Sequence, residues 1–260
     1  MNELLIYIPV FAIGLSIGSF LNVLIYRIPR NIRFVAGRSF CPACRNQIPF
    51  YDNIPLVSYL ILGGRCRWCT QRISVRYPLV ELLNGLAYVF FLWRYELSAP
   101  FVIMSLLSSA LIVIIFIDLE FQIIPDMITL PGMVLGLAVS FAPGGIGIVQ
   151  SALGLVIGGG VLYLIAILGD WLFKKESMGG GDIKMAAMLG AFLGWEKVVF
   201  IFFASALIGL LISIIVMFFS SKVRQSRMIP FGPFLAIAAF VAIIYGDQLI
   251  GLYLNSFFRM

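Results

Sequence analysis

The sequence predicts an all-α polytopic membrane protein in which about eight transmembrane helices carry one small cytoplasmic domain between the first two. Three observations lead there. Of the 260 residues, 62% are hydrophobic and only 12% charged, a balance foreign to water-soluble domains. The apolar residues fall in runs near the roughly 20 residues that cross a hydrocarbon core, shorter where other helices shield them. A single long hydrophilic stretch, 27–78, interrupts these runs and holds all four cysteines.

The runs occupy 4–26, 79–95, 100–117, 127–142, 147–173, 183–195, 197–219 and 230–254. The first is too long to be a removable leader and meets Tyr26-Arg27 without a small-residue cleavage site, so it reads as a retained anchor over 1–26. Prolines at 29, 42, 49, 55 and 78 make 27–78 irregular, while Phe40, Phe50, Tyr51, Leu56, Tyr59 and Leu60 give it something to bury. It therefore reads as a domain, and 79–260 as a second, membrane-embedded one. No heptad, low-complexity tail or internal repeat is evident.

Charge supplies orientation. With the N-terminus outside, the inner loops are 27–78, 118–126, 174–182 and 220–229, which hold nine, zero, two and three Lys or Arg; Lys184 lies just beyond the third. Only Arg94, Lys197 and Arg259 fall on the other side. This bias places the inner loops in the cytoplasm. The +6 net charge thus reports orientation and anionic headgroups, not nucleic acid.

Cys41-Pro-Ala-Cys44 and Cys66-Arg-Trp-Cys69 form two CxxC pairs on the cytoplasmic side. Four thiolates so spaced suit a closed tetrahedral zinc site that stabilises a short domain. Two disulfides or unpaired thiols are the competing reading, and a reducing compartment opposes the disulfides. No βαβ pattern accompanies a redox CxxC.

The chain has no histidine, which removes Ser-His-Asp, Cys-His and HExxH chemistry. Two carboxylates stand out instead. Asp118 closes the apolar run 100–117, and Asp182 ends Met178-Gly179-Gly180-Gly181. Carboxylates at the ends of membrane segments are costly and mark function. Two held together share one proton, so one activates water while the other polarises a peptide carbonyl. Gly179, Gly180 and Gly181 let the backbone take positive φ and leave room for an extended substrate. Other acids have plainer readings. Asp126, after Pro125, is expected to cap a helix, and capping is also open to Asp182. Glu120 faces solvent, Asp170 pairs with Lys174, and Glu81 makes a polar contact. Met104, Met185 and Met188 read as packing.

These residues resemble the type IV prepilin peptidases over nearly the whole chain. The resemblance is carried by Gly18-Ser19-Phe20-Leu21-Asn22-Val23-Leu24-Ile25-Tyr26-Arg27, the double CxxC, and Tyr51-Asp52-Asn53-Ile54-Pro55-Leu56-Val57-Ser58-Tyr59. It continues in Asp118 of FIDLEFQIIPD, Asp182 of GGGD (the GxGD signature), and Ile229-Pro230-Phe231-Gly232-Pro233-Phe234. It implies a bacterial inner-membrane enzyme with Asp118 and Asp182 as catalytic aspartates facing the cytoplasm. The implied substrates are prepilins or pseudopilins with a short basic leader, cut after a glycine. The new terminus would then be N-methylated from S-adenosylmethionine, although no GxGxxG opens a nucleotide-type unit. Residues 79–260 would be the aspartic peptidase domain and 27–78 the zinc domain of the methylating members.

A rival reading is an ion- or proton-coupled transporter, since acids beside glycine-broken helices also serve cation binding. It accounts neither for the cysteine domain nor for two acids near one face.

Overall fold

The computed structural model describes residues 3–33, 38–175, 178–219 and 230–257. Among these the chain is helical apart from turns and two isolated β-bridges. The helices are α1 (Glu3–Arg27), α2 (Val57–Ile61), α3 (Arg76–Tyr95), α4 (Ala99–Phe121), α5 (Asp126–Val139), α6 (Ile148–Phe173), α7 (Gly180–Leu193), α8 (Trp195–Phe219) and α9 (Gly232–Phe257).

All eight apolar runs are helical, but among the described residues five helices, not eight, are long and apolar enough to cross a membrane: α1, α4, α6, α8 and α9. Helices α5 and α7 have 14 residues each. At about 1.5 Å per residue they fall short of the roughly 30 Å hydrocarbon core. Helix α3 has 20 residues, and Glu81, Asn84 and Arg94 dilute its apolar run.

The chain divides into two compact units, Met1–Val113 and Ile114–Met260. In the first, α1 packs along α3 where glycines remove the side chains between them. A β-carbon on Gly14 would lie 2.8 Å from the Gly85 Cα, and one on Gly18 would lie 2.7 Å from the Glu81 Cα. Lipid drives no hydrophobic association of helices, so such close backbone packing holds the pair together. Asn84 adds a buried link, donating to the Gly14 carbonyl at 2.7 Å and accepting from the Ser109 hydroxyl at 2.8 Å.

In the second unit the short helix α7 is enclosed, with Met185 through Gly190 buried. Its small residues admit two neighbours. Gly154 of α6 meets Gly190 backbone to backbone, and Gly136 of α5 leaves only 2.7 Å between a would-be β-carbon and the Ala191 Cβ. Ser151 of α6 donates to the Ala191 carbonyl at 2.6 Å. Met185 and Met188 are core, as expected. This packing fixes the axis of α7 and therefore the place of its first turn, where Asp182 stands.

Candidate active site and metal centre

Asp118 sits in the last turn of α4 and is 5% exposed. The helix stops three residues later because Gln122 turns left-handed (φ 56°), its N–H still donating to the Asp118 carbonyl at 2.9 Å. The backbone N–H of Gly232, at the start of α9, donates to the Asp118 carboxylate.

Asp182 is the third residue of α7. Gly179 occupies the N-cap, and no side chain caps this helix, so the capping alternative for Asp182 is not what the fold uses. A helix N-terminus favours negative charge on a carboxylate. Here that preference loses: burial, and after it the charge of Asp118, push the Asp182 carboxyl up to about 7. The two acids predicted from sequence thus feel one another electrostatically. Ile124 is wedged between the start of α7, which carries Asp182, and the start of α9, whose Gly232 meets Asp118. A β-carbon on Gly181 would stand 2.8 Å from the Ile124 Cβ, and one on Gly232 would stand 3.0 Å from its Cδ1.

The glycine run serves space, not unusual backbone. Gly179 has φ −69°, and none of Gly179, Gly180 and Gly181 is left-handed, which corrects the expectation of positive φ. Gly181 permits the close approach to Ile124, while around a β-carbon on Gly180 nothing lies within 4 Å.

Asp126 does not cap α5. Pro125 holds the N-cap position and offers no side-chain bond, so Asp126 falls inside the first turn. Its carboxylate instead receives the Lys184 ammonium at 2.7 Å on both oxygens, tying α5 to α7 two residues beyond Asp182. Glu120 is exposed, as expected.

The four cysteines converge. The Sγ atoms of Cys41, Cys44, Cys66 and Cys69 all lie within 4.8 Å of one another and could hold a metal ion. No disulfide joins them. Two matching turns bring this about. In the first, Cys41 N–H donates to Asn46 O, Arg45 N–H to Cys41 O, and Ile48 N–H to Ser39 O. In the second, Cys66 N–H donates to Gln71 O, Thr70 N–H to Cys66 O, and Ile73 N–H to Gly64 O. Arg45 and Thr70 are both left-handed, and the bridges Phe40–Gln47 and Arg65–Arg72 close both turns. Every feature recurs at one constant offset, so this small domain contains a repeat that the sequence reading passed over. Its trace is CxxCxxxI, written twice. The amide of Cys69, the largest influence, helps to hold the Cys66 thiol down at about 7, while at Cys69 the Gln71 N–H is outweighed by burial and the three other thiols, which push the thiol up to about 11.

Sequence reasoning missed Gly232 as a neighbour of Asp118 and Lys184 as a partner of Asp126. The first was visible only as part of a resembling segment, whose Ile229 lies outside the described residues. The predicted inner loop 220–229 lies outside them as well.

Comparison with known proteins places these features in company. Residues 12–95 match the bacterial peptidase A24 N-terminal domain, and residues 105–214 match the type IV leader peptidase family. A prepilin leader peptidase/N-methyltransferase of Pseudomonas putida is 37% identical, covering 91% of this chain and 90% of its own. Proteins of the same description from Aeromonas hydrophila and Pseudomonas aeruginosa are 36% and 35% identical, covering 95% and 94% of this chain and 93% and 91% of theirs. No solved structure matches.

Proposed function

Because this chain belongs to the type IV leader peptidase family, we propose that Asp118 and Asp182 are the dyad with which it removes the leader of a prepilin or pseudopilin. The kinship makes it a membrane peptidase that also N-methylates the terminus it exposes. The observation that carries the assignment of residues is the effect of the Asp118 charge on half-buried Asp182, one acid at a helix end and the other at a helix start within one compact unit.

The chemistry follows from one shared proton. Burial, and after it the charge of Asp118, favours the proton on Asp182, and the Gly232 N–H donates to the Asp118 carboxylate. Asp118 takes a proton from water, and the hydroxide so formed attacks the scissile carbonyl as Asp182 gives its proton to the carbonyl oxygen. Collapse of the tetrahedral species sends a proton from Asp118 to the departing amine and returns one to Asp182. Gly179 and Gly180, exposed and without side chains, leave room for the extended leader. The positive-inside bias supports an inner-membrane location with this face in the cytoplasm.

Cys41, Cys44, Cys66 and Cys69 suit zinc, with four thiolates and no open coordination position, so the metal would stabilise domain 27–78 and leave catalysis to the 79–260 domain. Methylation draws on S-adenosylmethionine, which supplies an electrophilic methyl group. The families matched give no support to the transporter reading.

The test is the mass of a prepilin incubated with purified protein. D118N and D182N each retain the shape of the side chain and should lose cleavage by about 10²- to 10⁴-fold, the usual worth of a positioned acid or base. Leader removal at the wild-type rate by either variant would falsify the dyad.

A further inference from the structure

We propose that Glu81, together with Asn22, binds a primary ammonium group for the methyl-transfer reaction, a site separate in residues from the aspartate dyad. The inference rests on the methyltransferase reading above.

Glu81 lies in α3 and is only 8% exposed. Its carboxylate is reached by two neutral donors, the Leu56 N–H at 2.9 Å and the Ser19 hydroxyl. No lysine or arginine pairs with it among the described residues. Burial pushes the Glu81 carboxyl up against the Leu56 and Ser19 hydrogen bonds, so its charged form is costly here, and a cation beside it would relieve that cost. Where the chain supplies no cation, a ligand can.

Asn22 lies one helical turn from the crossing of Gly18 with Glu81. Its amide orientation is settled by its partners: Nδ2 donates to the carbonyls of Gly18 at 3.3 Å and Tyr77 at 3.0 Å. The other end, Oδ1, has no hydrogen-bond partner among the described residues, although Asn22 is 2% exposed. An orphaned buried acceptor costs free energy unless a donor meets it. Glu81 and Asn22 thus lie about one helical turn apart along the α1–α3 seam, one with a carboxylate lacking a cation and the other with an amide oxygen lacking a donor among the described residues. A sulfonium would answer the first and not the second. An ammonium, with three N–H donors and a charge, answers both.

The third wall is the turn at Leu56. Leu56 has φ 60° and ψ −48°, and it is closed by the Val57 N–H donating to the Pro55 carbonyl at 2.6 Å. This conformation is rare for a residue with a side chain, and it aims the Leu56 N–H at Glu81. Ser58 braces the turn, accepting from Ile54 N–H and donating to the Tyr51 carbonyl. Asp52 pairs with Arg67 through both oxygens. Residues 51–59 and 18–27, singled out in the sequence without any chemistry of their own, thereby acquire one.

Two reactants of methyl transfer carry a primary ammonium: the terminus freed by cleavage and the amino-acid end of S-adenosylmethionine. One experiment separates them. Full-length wild type and E81Q are purified in detergent and given the same prepilin with S-adenosylmethionine. Leader loss and methyl gain are read in one mass spectrum, and S-adenosylmethionine affinity is measured apart by equilibrium binding of the labelled compound. Gln keeps the acceptor for Leu56 N–H, so E81Q should cleave normally and methylate about tenfold or more slowly, the scale of a charge-assisted bond. Loss of S-adenosylmethionine binding assigns the ammonium to the methyl donor. Unchanged binding with a raised KM for cleaved pilin assigns it to the substrate, whose terminus docks as the ammonium and takes the methyl group only after giving one proton to the Glu81 carboxylate. E81D restores the charge and should methylate faster than E81Q. Wild-type methylation by E81Q, equal loss of both activities in E81Q, or no advantage of E81D overturns the site. Wild type that cleaves but never methylates overturns the methyltransferase reading itself, and the site with it.

Discussion

The Gly232 backbone N–H donates to the Asp118 carboxylate, and a β-carbon on Gly232 would stand 2.5 Å from the Asp118 Oδ2. Any side chain at 232 therefore collides with the acid it serves. Asp118 is 5% exposed and has little room to retreat. G232A should leave the protein inserted and folded but lower cleavage on the order of 10²-fold, the usual effect of displacing a reacting group by about 1 Å. The check is leader removal per mole of membrane-inserted protein. Cleavage within twofold of wild type would show that the contact is incidental.

The raised Asp182 carboxyl sets a pH limit. The dyad needs one proton, and Asp182 gives it up around pH 7. As pH rises through that value the acid is lost and cleavage should fall, roughly tenfold per pH unit well above it. The sign follows from the direction of the shift: a carboxyl held at its ordinary value near 4 would already be ionised and would show no such decline. Rates of leader removal between pH 6 and 9, with insertion verified at each pH, test this. A flat profile contradicts the assignment of the acid role to Asp182.

Lys184 and Asp126 form the one ion pair that joins α5 to α7 among the described residues, yet both are well exposed, at 39% and 54%. Pairs so hydrated contribute below about 1 kcal/mol. D126N and K184Q should each preserve cleavage within a few-fold and shift thermal unfolding only slightly. The double variant should be no worse than the worse single one, because removing one partner already forfeits the pair. Complete loss of cleavage in D126N would mean that the dyad has been wrongly drawn.

The legible parts of this protein were those whose chemistry is written in local spacing. Two CxxC pairs announce a four-thiol cluster at any distance in the chain, and a carboxylate ending an apolar run is conspicuous wherever it falls. The eight helical runs could be read for the same reason. Their lengths as spans could not, because α7 is shielded by α5 and α6, through contacts such as Gly154–Gly190, and shielding is a property of packing. Asp126 looked like a cap because Pro125 precedes it. The competing partner, Lys184, stands far along the chain and becomes visible only when α5 and α7 meet. Glu81 is the sharpest case. A lone acid near a helix start reads as a polar contact, and it is the crossing of Gly18 over its Cα together with the Leu56 turn that buries it. The cysteine repeat was in plain view as CxxCxxxI, and the prolines around it drew the eye instead.

That repeat leads to the last prediction. Each turn contributes two thiols, and its hydrogen bonds close a loop of few residues with little apolar burial: Cys41 and Cys66 are its buried hydrophobic members. A domain with so little buried apolar surface is expected to depend on a metal at the four thiols for its shape. Purified protein should carry one zinc per chain, and a strong chelator should release it together with four reactive thiols. Limited proteolysis should then open between 38 and 73 while the helices from α4 to α9 stay resistant. Because the turns are equivalent, C41S and C66S should have matching effects on zinc content. A chain that binds no zinc, or one whose 38–73 segment resists protease equally after chelation, would show that hydrogen bonds alone maintain both turns.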